Sequence, residues 1–384
     1  MRADIRRVFL IALVGLILAL PGCLPPAGAL HEAVQRGDIA EVRSLLKKGA
    51  PIDGRDKFDN TPLVRAAETG NDDIVTLLLN EGADVNAKTK DGWTSLFSAV
   101  AQGHVSTAQL LLQRGAKVNA QTDYGLTPLH IAFQMRNTKL QMVVLLISKG
   151  ANINAHDRRG NTPLENALLS RSNAANAKYL IEHGADVNIK NNDGNSPLHL
   201  AASYTGDDIV KLLLSKHTDP NMKNSDGRTP LDYALLSGKL DIANTMIAAG
   251  GKLDVKGQHC NLLHCATQDG HVDVVRFLLS QGAKVDALNK QGWTPLHVAA
   301  HNGQTEVARL LLSNRTDMNA KTPGGETPLI LAAKRMQANV ASLLVRSGAD
   351  VSLKDASGQT AIGWAQRNHN KAIVELLERN RARN

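Results

Sequence analysis

The sequence predicts an all-α repeat solenoid of about eleven helix–turn–helix units with β-hairpin loops, capped at both ends. Three observations carry that prediction. A Leu or Ile following Thr-Pro or a variant of it recurs at Leu30, Leu63, Leu96, Leu129, Leu164, Leu198, Leu231, Leu263, Leu296, Leu329 and Ile362. The successive spacings are 33, 33, 33, 35, 34, 33, 32, 33, 33 and 33 residues. The chain is 43% hydrophobic but only 3% aromatic, so Ala and Leu supply the apolar mass, as short helices on one template require.

Each part of the repeat has a local reason. In Thr127-Pro128-Leu129-His130 and Thr294-Pro295-Leu296-His297 the Thr caps free amides of a first turn, and Pro occupies a first helical position where its missing N–H costs nothing. Small pairs such as Ala201-Ala202 and Ala299-Ala300 then let neighbouring helices approach. A Gly ends the first helix, as at Gly70, Gly103, Gly270 and Gly303. The second helix has a dense apolar face, as in Val274-Val275-Arg276-Phe277-Leu278-Leu279. It closes on Gly-Ala-Asp-Val-Asn at 82–86 and 184–188, and Asp91-Gly92, Asp193-Gly194 and Asp226-Gly227 signal hairpin turns.

The N-terminus reads differently. Residues 1–7 are short and basic, and residues 8–20 form an apolar run of thirteen, short of the roughly 20 that a spanning helix needs. That is the pattern of a secretory signal peptide. Leu20-Pro21-Gly22-Cys23 resembles the bacterial lipobox, departing from it at Pro21. The resemblance implies cleavage before Cys23, lipidation of its thiol and a membrane anchor. Arg6-Arg7-Val8-Phe9-Leu10 matches a twin-arginine export signal only in part. The expected organisation is a signal peptide at 1–22, a Pro-containing tether at 23–28, repeats over 29–379 and a polar basic tail at 380–384. The expected location is the bacterial cell envelope, lipid-anchored and facing the periplasm or exterior, with a soluble periplasmic or secreted form as the alternative. For function, the alternative is an intracellular or host-directed adaptor with an uncleaved N-terminal segment.

Period, opening motif and turn order together resemble the ankyrin repeat. The resemblance implies stacked units that bind a protein partner along hairpin tips and first helices, without catalysis. The end units look like caps: Glu41, Arg43, Lys47 and Lys48 at one end and Lys371, Glu375, Glu378 and Arg379 at the other. Positions free of the template include Asn60, Trp93, Leu126, Arg228, Trp293 and Glu326 on the hairpins. On the first helices they include Glu68, Gln134, Met135, Tyr204, His301, Lys334 and Arg335. Trp93, Trp293, Arg228, Tyr204, Met135, Leu126 and Arg335 are the candidate partner contacts, since Trp, Tyr and Arg anchor interfaces. Two readings of the tryptophans stay open, a partner contact or packing on the next hairpin. Longer inter-helix turns are expected near 136–139 and 170–174.

Nothing points to chemistry. No phosphate loop, G-x-S-x-G elbow or H-E-x-x-H occurs. Six of thirteen histidines (His31, His130, His199, His264, His297 and His271) fall on template positions, where the resemblance implies ties to neighbouring backbone. His259-Cys260-Asn261-Leu262-Leu263-His264-Cys265 lacks the spacing of a structural zinc site. Two thiols, a disulfide or a metal remain open for Cys260 and Cys265. The net charge of +8 is mild, and the one basic cluster, Arg379, Arg381 and Arg383, lies at the extreme C-terminus. No nucleic acid, small-molecule substrate, cofactor or catalytic residue is expected, and the chain is expected to be a monomer.

Overall fold

The computed structural model describes residues 26, 28–134, 139–170, 174–254 and 262–381. The chain divides into two compact units, Met1–Asp186 and Val187–Asn384. The described part of the first unit holds five helix pairs. They are α1 (Ala29–Arg36) with α2 (Ile39–Lys47), α3 (Pro62–Thr69) with α4 (Asp72–Asn80), and α5 (Ser95–Gln102) with α6 (Val105–Gln113). α7 (Pro128–Ala132) with α8 (Leu140–Ser148) and α9 (Pro163–Leu169) with α10 (Ala174–Glu182) complete it. The second unit holds six pairs. They begin with α11 (Pro197–Tyr204) and α12 (Asp207–Ser215), α13 (Pro230–Leu236) and α14 (Leu240–Ala248), and α15 (Leu262–Asp269) and α16 (Val272–Ser280). α17 (Pro295–Asn302) and α18 (Thr305–Ser313), α19 (Pro328–Lys334) and α20 (Ala338–Arg346), and α21 (Ala361–Arg367) and α22 (Lys371–Arg381) follow. The last helix thus runs two residues past 379.

The helices start and stop for the reasons their sequences carry. Thr61 Oγ1 accepts from Val64 N at 3.2 Å and Thr327 Oγ1 from Ile330 N at 3.3 Å, each followed by Pro at the first helical position. At α7 the cap is reciprocal, because His130 Nδ1 also accepts from Thr127 N at 3.1 Å. Gly70, Gly103 and Gly303 end their helices in the left-handed region. Met336 (φ 59°) and His369 (φ 56°) take that conformation without the glycine. The marker leucines are buried throughout, and Ala66-Ala67, Ala201-Ala202, Ala299-Ala300 and Ala332-Ala333 are fully enclosed. The charged cap residues Arg43, Lys47 and Lys48, and Lys371, Glu375, Glu378 and Arg379, are exposed.

Two sets of hydrogen bonds keep neighbouring repeats in step. The Asn that closes the second-helix motif clamps the next repeat: Asn86 Nδ2 donates to Gly115 O (3.1 Å) while its Oδ1 accepts from Lys117 N (2.9 Å). Asn119 does the same with Gly150 and Asn152, and in the second unit Asn221 does so with Gly250 and Lys252. The other set joins the turns. Asp123 N donates to Asp91 O and Arg158 N to Tyr124 O, both at 2.9 Å; in the second unit Ser225 N reaches Asp193 O and Ala356 N reaches Gly324 O.

Those turn bonds correct the expectation of β-hairpins. No strand is present among the described residues. Each described loop closes on one long bond, such as Thr89 N to Trp93 O (2.8 Å), and one tight bond, such as Gly92 N to Thr89 O (2.9 Å). The loop is too short to make a ladder within itself, and N–H groups such as that of Asp123 reach the adjacent loop instead. The stacking is close: a Cβ at Gly92 would lie 2.9 Å from the Thr122 Cα, and one at Gly292 would lie 2.8 Å from the Pro323 ring. Asp59 stands where the later turns carry Gly, at φ 65°, and its carboxylate accepts from Lys90 N at 2.6 Å.

The glycines ending the second helices differ, because a Cβ at Gly115 or Gly150 would meet nothing within 4 Å. His217 (φ 60°) and Arg315 (φ 61°) already occupy that position in the second unit. Gly115→Ala should therefore lose only the left-handed strain of about 1 kcal/mol, while Gly92→Ala adds a backbone clash and should lose at least about 2 kcal/mol. His217→Gly should gain about 1 kcal/mol by the same reasoning. Urea unfolding of the three variants measures all three effects.

Candidate functional site

The positions free of the template lie on the side shared by the turns and the first helices, and each unit presents its own set. In the first unit, Trp93 is half-buried; its Nε1 donates to Ser98 Oγ at 2.9 Å and its ring lies 5.1 Å from the buried Phe97 ring. It thus packs on α5 of its own repeat. The indole nitrogen thus finds its partner within the repeat, while the half-buried ring keeps part of its surface exposed. Leu126 is half-buried, and its carbonyl accepts from Thr122 N at 3.0 Å. Met135 and Cys23 lie outside the described residues, as do Cys260, His259 and most of the two longer turns. α7 stops after five residues, just before that first turn.

Two aromatic side chains at the turn tips were not among the expected contacts. Phe58 and Tyr124 are each 64% exposed, and both stand three residues before the capping Thr. The sequence signal was present, an aromatic at a turn centre, but a polar turn template hides it. Phe58 is flanked by cations, with Lys57 Nζ 5.0 Å and Arg65 5.3 Å from its ring centre. Arg65 in turn pairs with Asp56 (2.7 Å) and Glu68 (2.9 Å). Burial works against the charge on Asp56. Hydrogen bonds from Asn60 N, Arg65 and Phe58 N outweigh it and hold the carboxyl below its usual range.

In the second unit Tyr204 is exposed at the end of α11, and Arg335 is exposed just past α19. Trp293 is half-buried with its ring 5.2 Å from His301. Burial, and then the charge of Arg335, push the His301 pKa down, so Trp293, His301 and Arg335 form one neighbourhood. Arg228 is half-buried, with its carbonyl taken by His199 and its Nε buried without a hydrogen-bond partner. Trp364, on α21, joins this face: its Nε1 donates to Asp355 Oδ2 at 2.7 Å and its ring lies under Lys334 Nζ at 4.6 Å.

The template histidines are tied into the frame. Nε2 of His31 and of His130 meets the carbonyls of Asn60 (2.9 Å) and Asn161 (3.1 Å). In the second unit His199, His264 and His297 meet those of Arg228 (3.1 Å), Trp293 (2.8 Å) and Glu326 (3.1 Å). Burial depresses the pKa of His130, His199, His264 and His297, that of His199 to about 4, which keeps the rings neutral and suited to this role. His271 caps α16 and lies over Gly238 of the preceding repeat. Glu165 replaces the histidine in α9: Oε2 accepts from Thr162 N at 2.6 Å, while Oε1 is buried without a partner. Among the described residues no group of three His, Cys, Asp or Glu is placed to hold a metal ion.

Within each unit, stacked helix pairs that present turns and first helices free of the template define the class of a helical-repeat binding protein. The family model for ankyrin repeats, in three-copy form, matches residues 30–122, 119–191, 177–256, 250–322 and 314–383, and the chain belongs to that family. Ankyrin repeats mediate protein–protein interaction, so a protein partner follows from membership. No curated protein matches the chain.

Burial pushes the Glu165 carboxyl from 4.5 up to about 7. A folded-state pKa above the unfolded one means that the native state holds the proton more tightly. Its stabilising contribution is complete below pH 4.5 and declines as pH rises to about 7. The loss is on the order of 3 kcal/mol at 1.36 kcal/mol per pKa unit, and Glu165→Gln should flatten that slope in urea midpoints measured across the interval. The buried contacts of Trp93 make a second expectation. Trp93→Ala should cost about 2–3 kcal/mol of stability, whereas Tyr124→Ala should stay within about 0.5 kcal/mol. Thermal or urea unfolding of both variants checks this.

Proposed function

We propose that the chain is a protein-binding scaffold or modulator, held at a bacterial membrane by lipid on Cys23 and facing the periplasm or exterior. Binding rather than catalysis is its activity. The observation that carries the binding surface is the exposure of Phe58 and Tyr124 on turns whose backbones are pinned. Asp56 Oδ1 accepts from Phe58 N (2.8 Å), and Tyr124 O accepts from Arg158 N (2.9 Å). Turns held this way lose little backbone freedom on docking, which favours affinity. Tyr204, Trp293 and Arg335 belong to the corresponding surface of the second unit.

The anchoring rests on sequence. Cys23 directly follows the apolar run, and only residues 24–28 separate it from the first helix at Ala29. Acyl chains contribute about 0.8 kcal/mol per buried methylene, so two or more on Cys23 would hold the array close to the lipid surface. On this reading residues 1–22 are removed and 23–28 serve as the tether.

Two measurements test the reading. Palmitate should label the wild-type chain in bacteria, and Cys23→Ser should abolish both the label and recovery in the membrane fraction; an unlabelled soluble wild type overturns the anchor. Partner capture with wild type, a Phe58→Ala/Tyr124→Ala variant and a Trp293→Ala/Arg335→Ala variant tests the surface. At least one double variant should lose a partner that wild type retains, with an unchanged urea midpoint. Retention of every partner by both variants rejects the turn and first-helix face.

A further inference from the structure

Building on the reading of the chain as a protein-binding array, we propose that the last three repeats form a docking site for an acidic, aromatic-tolerant segment of the partner. The observation is a charge imbalance on one face. Lys334, Arg335 and Arg367 stand on or just after α19 and α21. Lys334 and Arg367 lie over the half-buried Trp364 ring, and Arg335 acts on His301, whose ring is 5.2 Å from that of Trp293. The two carboxylates nearby are already engaged. Glu326 accepts from Lys334 Nζ at 2.7 Å. Asp355 accepts from Trp364 Nε1 at 2.7 Å and from Ser357 and Gln359 backbone amides at 2.9 Å.

Arg335 and Arg367 are exposed, and neither forms an ion pair among the described residues. The Arg367 guanidinium lies 5.4 Å from the Trp364 ring centre, a contact that orients it without consuming its donors. Two guanidinium forks on adjacent repeats suit carboxylates, which they bind through paired hydrogen bonds. The Trp364 ring beside Arg367, and the Trp293 ring on the repeat before Arg335, suit apolar side chains spaced along the same segment.

The pattern favours a peptide over a nucleic acid. A duplex presents one phosphate charge per roughly 1.7 Å and is met by dense runs of cations. Here three cations are spread over two repeats, Lys334 and Arg335 on one and Arg367 on the next, and Glu326 already pairs with Lys334.

The test selects ligands for the full chain from a displayed library of random 16-residue peptides, then measures selected peptides by fluorescence anisotropy. Selected sequences should be enriched in Asp and Glu. Arg335→Glu/Arg367→Glu should weaken their binding more than tenfold with an unchanged urea midpoint, and Arg335→Lys/Arg367→Lys should restore part of it. Phe58→Ala/Tyr124→Ala should leave it unaltered. Selected peptides without acidic enrichment, or acidic peptides indifferent to the arginine reversal, overturn the proposal. So does a single-stranded oligonucleotide or a phosphatidylglycerol vesicle that binds through the same arginines more tightly than the peptides. If peptides are selected but depend on Phe58 and Tyr124 instead, this inference falls while the protein-binding reading stands. If selection yields no binder, both fall.

Discussion

Each helix pair in this chain carries its leucines and alanines on a face that only a neighbouring pair can cover, so register between neighbours is the constraint on which the rest depends. Fully enclosed pairs such as Ala66-Ala67 and Ala299-Ala300 leave little room for a slipped arrangement. Apolar contact is non-directional, and it would tolerate small shifts that hydrogen bonds do not. The chain supplies those bonds at three levels. Template histidines reach the carbonyl before the next first helix, asparagines clamp the end of the next second helix, and turns bond to turns. A net contribution of about 0.5–1.5 kcal/mol per bond is modest singly. Repeated within each unit, the bonds specify one register among many that burial alone would allow.

The same bonds explain why the binding face can vary without cost to the fold. The backbone of a described turn is satisfied by its own Asp, Asn or Thr, as with Asp56, Asn224 and Thr322, and in several repeats also by the neighbouring turn. Side chains at the turn centre therefore carry no structural duty, and Phe58 and Tyr124 can stand exposed there. The residue just before the capping Thr is different. Its carbonyl accepts from a template histidine at Asn161, and its side chain can be engaged by the frame, as with Trp93 on Ser98 of its own first helix and Asn195 on Asn224 of the next repeat. The position that looks freest in the sequence is thus partly structural, while the freer one sits two residues earlier.

Departures from the template mark where this chain differs from a uniform array. Asp59, His217, Arg315, Met336 and His369 hold left-handed conformations that glycine takes in sister repeats. Glu165 places an acid, with a carboxyl pushed up to about 7, where other repeats use a neutral imidazole. The last three repeats concentrate Trp293, Trp364, Lys334, Arg335 and Arg367, whereas the first unit spreads Phe58 and Tyr124 over its turns. The two faces differ in chemistry, and partners of different character suit them.

Much of the fold was legible because the repeat writes the same local instruction many times. Thr-Pro starts, Gly stops and leucines at a 33-residue spacing determine eleven helix pairs without reference to any distant contact. The apolar run and Cys23 are equally sequence matters, and they rest on sequence alone. What tertiary structure decided is how exposed and engaged each side chain is. Neither the Trp93 bond to Ser98, nor the consumption of Glu326 by Lys334, nor the ring of Trp364 beneath two cations follows from spacing. Helix periodicity records which residues face inward, but side-chain hydrogen bonds and charge balance depend on rotamers and on neighbours a repeat away. The structure also replaced the expected hairpins with stacked turns, because a backbone N–H in a short loop finds its acceptor in the adjacent repeat.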